Sequence, residues 1–106
     1  MASVPDIQFD TWYTYDQLTA FLQACAEARP DLLKLDSLVA SPEGRQVWLA
    51  TLTDPTTGAP EDKPAYYVQA NVHARELAGT SAALRLIHTL LTDEAVQARL
   101  RELTFY

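Results

Sequence analysis

His73 and Glu76 stand three residues apart in "NVHARELAG" (71–79), with Arg75 between them and an apolar run leading in. An imidazole nitrogen and a carboxylate oxygen are both zinc ligands. A catalytic zinc takes three protein ligands and keeps one position open for water, two histidines and a glutamate being one such set. His73 and Glu76 could supply two of the three, with a second histidine required from elsewhere. The spacing alone decides nothing, because two histidines and six glutamates in 106 residues produce it by chance often enough. Its structural alternative makes Glu76 a helix N-terminal carboxylate favoured by the macrodipole, and His73 a hydrogen-bonded loop residue. Arg75 is either a solvated surface cation or a planar fork for a carboxylate or a polarised carbonyl.

The remaining candidates are weaker. His88, in "RLIHTLL" (85–91), lies twelve residues beyond Glu76. On a continuous helix that is well over 15 Å away, whereas a zinc–nitrogen bond is about 2 Å. A histidine packed on the helix face is the expected reading. Cys25 is the single cysteine; it falls at apolar helical spacing and should be a buried small hydrophobe. It cannot form an internal disulfide, so the fold does not depend on an oxidising compartment. There is no G-x-S-x-G elbow, no glycine-rich phosphate loop and no CxxC pair.

Several elements must position the pair. "TYDQ" (14–17) has the form of a capping box, and Leu18, Phe21, Leu22 and Cys25 follow at i, i+3, i+4, i+7, one face of an amphipathic helix that Pro30 ends. Residues 32–40 alternate as a half-exposed strand at a sheet edge, "SPEG" (41–44) is a turn, and 46–53 is a second strand. Residues 54–64 form a loop with three prolines and a glycine. Residues 66–72 are apolar on both faces, which predicts an interior strand covered on both sides. The pattern turns helical from about Leu77, restarts at "TDE" (92–94), and Thr104, Phe105 and Tyr106 begin another strand. His73 therefore falls where a strand ends and a helix is about to start, the place where ligands gather in open α/β sheets. Small residues at Ala78 and Gly79 would allow close approach there.

The bulk numbers set limits. The length of 106 residues fits a single segment, and 48% hydrophobic with 21% charged residues describes a globular chain. A net charge of −6 without a basic cluster argues against nucleic acid and anionic membrane as partners. No run of apolar residues has the length of a membrane span and no signal sequence opens the chain, so a cytoplasmic location is the expectation.

The chain resembles the N-terminal part of a zinc metallocarboxypeptidase catalytic domain, of the carboxypeptidase A type and its bacterial relatives. The resemblance rests on "WYTYDQLTAFL" (12–22), "SPEGRQVWLATL" (41–52), "PAYYVQANVHARELAGT" (64–80), "AALRLIHTLL" (82–91) and "LTFY" (103–106), in the family's order. It implies an α/β fold in which a partial mixed β-sheet is flanked by helices, the first part of an α/β/α domain. It implies His73 and Glu76 as the first two zinc ligands, Arg75 as a residue lining the substrate cleft, and zinc-dependent removal of a C-terminal residue from a peptide substrate. The third zinc ligand, the carboxylate-gripping residues and the general-base glutamate of that family are expected downstream of Thr104, so no catalytic residue is assigned within these 106 positions. Two other readings stand beside it. One is a zinc deacylase of the succinylglutamate desuccinylase or aspartoacylase type, which also uses a His-x-x-Glu pair. The other is a non-catalytic α/β interaction module, with Phe105 and Tyr106 as an unpaired edge open to self-association.

Overall fold

A computed structural model describes residues 3–106. Helix α1 runs Tyr15–Ala28, starting at a complete capping box: the Thr14 hydroxyl accepts from the Gln17 N–H and the Gln17 side chain accepts from the Thr14 N–H. Strands β1 (Leu33–Ala40) and β2 (Gln46–Leu52) form the expected antiparallel hairpin, closed by a turn in which Gly44 adopts a positive φ of 84°. A loop with two short 3-10 turns leads to β3 (Ala65–Tyr66), then α2 (Leu77–Thr92), the short α3 (Glu94–Gln97), a further 3-10 turn and β4 (Thr104–Phe105).

The sheet order is β1-β2-β4-β3, antiparallel across β1/β2 and β2/β4 and parallel across β3/β4. The mixed α/β architecture is as expected, but two placements differ. The strand predicted over 66–72 is short, its pairing ending where the Val68 N–H donates to the Tyr106 carbonyl at 2.7 Å. Within the sheet of the described residues it lies at an edge, where Tyr66 and Tyr67 are 56% and 67% exposed. Conversely, Phe105 and Tyr106 are not an open edge, because β4 is held between β2 and β3. Both differences have one cause. The crossover through α2 and α3 returns the chain to the inner side of β3, which alternation of side chains cannot reveal.

The two edges are built differently. β1 carries the charged Lys34 and Asp36 and a bulge between Ser37 and Val39, devices that discourage further pairing. Residues 65–68 on the other edge contain no charge, no proline and no glycine.

One core joins the helices to the sheet. Leu22 and Cys25 of α1, Leu33 of β1, Leu52 of β2 and Leu84 and Leu90 of α2 are all buried in it. Trp48 fastens β2 to α1 by donating its indole N–H to the Thr19 hydroxyl at 2.9 Å. Cys25 is fully buried as expected, and burial raises its thiol pKa to about 11. Between α1, the sheet and α2 lies an apolar cavity of about 590 Å³, walled by side chains including Leu18, Trp48, Leu84 and Phe105. No helix of the described residues is long and apolar enough to cross a membrane.

Candidate metal centre

The segment between β3 and α2 folds back on itself. Beyond Val68 the chain leaves the sheet, and Asn71 turns it with a φ of 60°, a left-handed conformation that asparagine tolerates better than most residues. Further along the loop, Glu76 occupies the N-cap of α2. Its carboxylate does not cap the helix; it reaches back across the loop. Glu76 Oε1 accepts from the His73 backbone N–H at 3.0 Å and meets His73 Nδ1 at 3.0 Å, while the Glu76 N–H donates to the His73 carbonyl at 3.0 Å.

That closed ring brings the two candidate ligands together in the loop between β3 and α2, at the amino end of α2. Both side chains face solvent, His73 at 77% and Glu76 at 54% exposure, so an ion can reach them. Two ligands about 2.0–2.1 Å from one tetrahedral zinc stand roughly 3.4 Å apart. The 3.0 Å between Nδ1 and Oε1 is within a few tenths of an ångström of that spacing. Donor types and placement therefore fit zinc as two members of a three-ligand set. Among the described residues no group of three or more His, Cys, Asp or Glu side chains is placed to hold a metal ion.

The other candidates separate from this point. Arg75 is exposed, and among the described residues it makes no hydrogen bond or ion pair. His88 lies near the far end of α2, partly buried. Cys25 lies in the core and takes no part. Gly79 is less critical than its size suggested: a Cβ there would stand 3.6 Å from Ala70, an ordinary contact. Sequence reasoning passed over Asn71 and Thr80, whose side chains bond to each other at 2.9 Å beside the pair. The signal was an asparagine two residues before the histidine, a residue type that suits a left-handed turn.

The family model for zinc carboxypeptidases matches residues 18–106. The chain belongs to the zinc carboxypeptidase family. Carboxypeptidase B of Astacus astacus is 27% identical over 89 residues, which cover 84% of this chain and 28% of that protein. Among solved structures, carboxypeptidase A from Helicoverpa armigera superposes with a TM-score of 0.83 at 24% identity, over 93% of this chain and 24% of its own. A metallo-carboxypeptidase from Burkholderia cenocepacia gives a TM-score of 0.74 at 27% identity, over 88% of this chain and 25% of its own. The chain thus spans about a quarter of the length of the carboxypeptidases it matches. Hydrolase, protease and metallocarboxypeptidase are the class terms of this family, and its name implies zinc.

Proposed function

We propose that His73 and Glu76 are two zinc ligands, and Arg75 a cleft residue, of a metallocarboxypeptidase that hydrolyses the C-terminal peptide bond of peptide substrates. The observation that carries this reading is the meeting of His73 Nδ1 and Glu76 Oε1 at 3.0 Å on the strand-to-helix junction of a zinc carboxypeptidase family chain. When bound, zinc supplies a Lewis acid for a scissile carbonyl and lowers the pKa of a coordinated water.

The chain's own residues hold and aim the groups around that ion. The Glu76 carboxylate holds the loop through the His73 N–H and keeps the His73 ring beside it through Nδ1, a hydrogen bond that an ion would replace as the Nδ1 proton leaves. Arg75, between them and exposed, offers a guanidinium fork to the carboxylate end of a peptide or to a carbonyl oxygen. With two protein ligands, this 106-residue chain binds zinc weakly and has no appreciable peptidase activity of its own.

Zinc titration by calorimetry, with assay of amino-acid release from a peptide bearing a free C-terminus, tests the reading. Weak binding that disappears in His73→Ala and Glu76→Ala, with no release, is expected. Tight one-to-one binding that survives both substitutions would overturn the ligand assignment, and release by the chain alone would overturn the inactivity. Comparing turnover of a peptide with turnover of an N-acyl amino acid, in an enzyme that carries the complete ligand set, separates the peptidase from the deacylase reading. The β3 edge, rather than Phe105 and Tyr106, is the surface through which self-association would run.

A further inference from the structure

We propose that Asn71 is a positioning residue of this centre, presenting His73 to Glu76 through a side-chain bridge to Thr80. The inference rests on the zinc-ligand reading of the pair. Among the described residues Asn71 is the one non-glycine residue with a positive φ, and it lies in the loop between β3 and α2. Its side-chain amide makes two directed contacts: Nδ2 donates to the His73 carbonyl at 3.3 Å, and Oδ1 accepts from the Thr80 hydroxyl at 2.9 Å. Thr80 belongs to the first turn of α2.

The arrangement is directional. Turning the amide over would set Oδ1 against the His73 carbonyl, two acceptors face to face, so the two bonds select one orientation. The His73 carbonyl then has two donors, Asn71 Nδ2 and the Glu76 N–H, while the His73 N–H goes to Glu76 Oε1. Both backbone polar groups of the histidine are engaged, and the helix supplies the anchor. Glycine could adopt the same φ but would lack the bridge; alanine would lose both the conformational tolerance and the bridge. Outer-shell hydrogen bonds of this kind orient metal ligands, and their loss costs affinity.

The substitutions Asn71→Gly and Thr80→Val separate the bridge from the backbone conformation, since the first permits the left-handed turn and the second removes a hydroxyl. The readouts are a Zn²⁺ titration followed through the His73 imidazole NMR signals, and amide hydrogen exchange of His73 and Glu76 in the metal-free chain. Both variants are expected to bind Zn²⁺ about tenfold more weakly, the low end for outer-shell losses because the site is exposed. Both should also exchange the His73 amide faster. A purely structural role would lower the unfolding midpoint while leaving the Zn²⁺ affinity of the folded chain unchanged. Wild-type affinity and wild-type His73 protection in both variants would overturn the proposal. If the wild-type chain shows no Zn²⁺-dependent change at His73, the zinc reading fails, and amide exchange still decides whether Asn71 orders the loop. Should Asn71→Gly not fold, Thr80→Val carries the test.

Discussion

Lys63 should be worth more to this fold than any other exposed-type residue, and Lys63→Met tests that. Its ammonium donates to the Asp54 carbonyl at 2.6 Å, the Thr57 hydroxyl at 2.8 Å, the Thr53 hydroxyl at 2.9 Å and, more loosely, the Leu100 carbonyl at 3.1 Å. It thereby ties the 54–64 loop to the 3-10 turn that precedes β4. Three protons serve four acceptors, so no more than three full charge-assisted bonds are lost on substitution. The acceptors keep other partners: Leu100 O still receives the Asp54 N–H, and Thr53 still donates to Leu100 O or Leu103 O. No buried group is orphaned and the acceptors stay bonded, so the net cost is near that of a single charged hydrogen bond, about 2 kcal/mol in all. For a domain of this length that lowers the melting temperature by roughly 8–16 °C. Urea unfolding followed by circular dichroism should show the midpoint falling at constant m, because the same surface is exposed on unfolding. Lys63→Arg should restore less than half, since a planar fork cannot converge five donors on one point. Lys34→Met serves as control: its pair with Asp36, at 3.7 Å with 77% and 46% exposed side chains, should contribute almost nothing. A loss below about 0.5 kcal/mol for Lys63→Met, or full rescue by arginine, would refute the reasoning.

Other expectations follow from the same contacts. Burial raises the Cys25 thiol from 9.0 to about 11, so the native state holds its proton more tightly than the unfolded chain does. Stability from this group is complete below about pH 9 and falls as pH rises to about 11, by roughly 2–3 kcal/mol; Cys25→Ala should flatten that limb of the pH–stability curve. Thr14→Ala removes one arm of the capping box and should cost about 1 kcal/mol in urea unfolding. Tyr67→Lys places a charge on the uncharged β3 edge and should shift any self-association seen by light scattering toward monomer. If Tyr67→Lys associates as strongly as wild type, association uses another surface.

Much of the scaffold was legible because its signals are local. The capping box at Thr14 and Gln17, the apolar stripe of α1 and the helical onset at Leu77 each follow from residue type and spacing. That His73 and Glu76 could meet was legible for the same reason, the two residues lying within one turn of each other. Strand order was not. Apolar residues on both faces of 66–72 say what that segment is suited to pack against, not which neighbour the crossover delivers. The crossover seats β4 inside β3, leaving Tyr66 and Tyr67 exposed. Lys63 was illegible in another way: a lone lysine in a proline-rich loop has no period, and its partners lie at Thr53 and Leu100, far apart along the chain.

On the zinc-ligand reading, the position of β3 would also join two events that look separate. A strand laid along its outer edge would order the backbone toward Gln69, two residues before the turn at Asn71 from which His73 and Glu76 hang. Edge pairing and metal binding would then each meet part of the same ordering cost. By thermodynamic linkage the coupling is mutual: whatever factor an added strand contributes to metal affinity, the metal returns to the affinity of the strand.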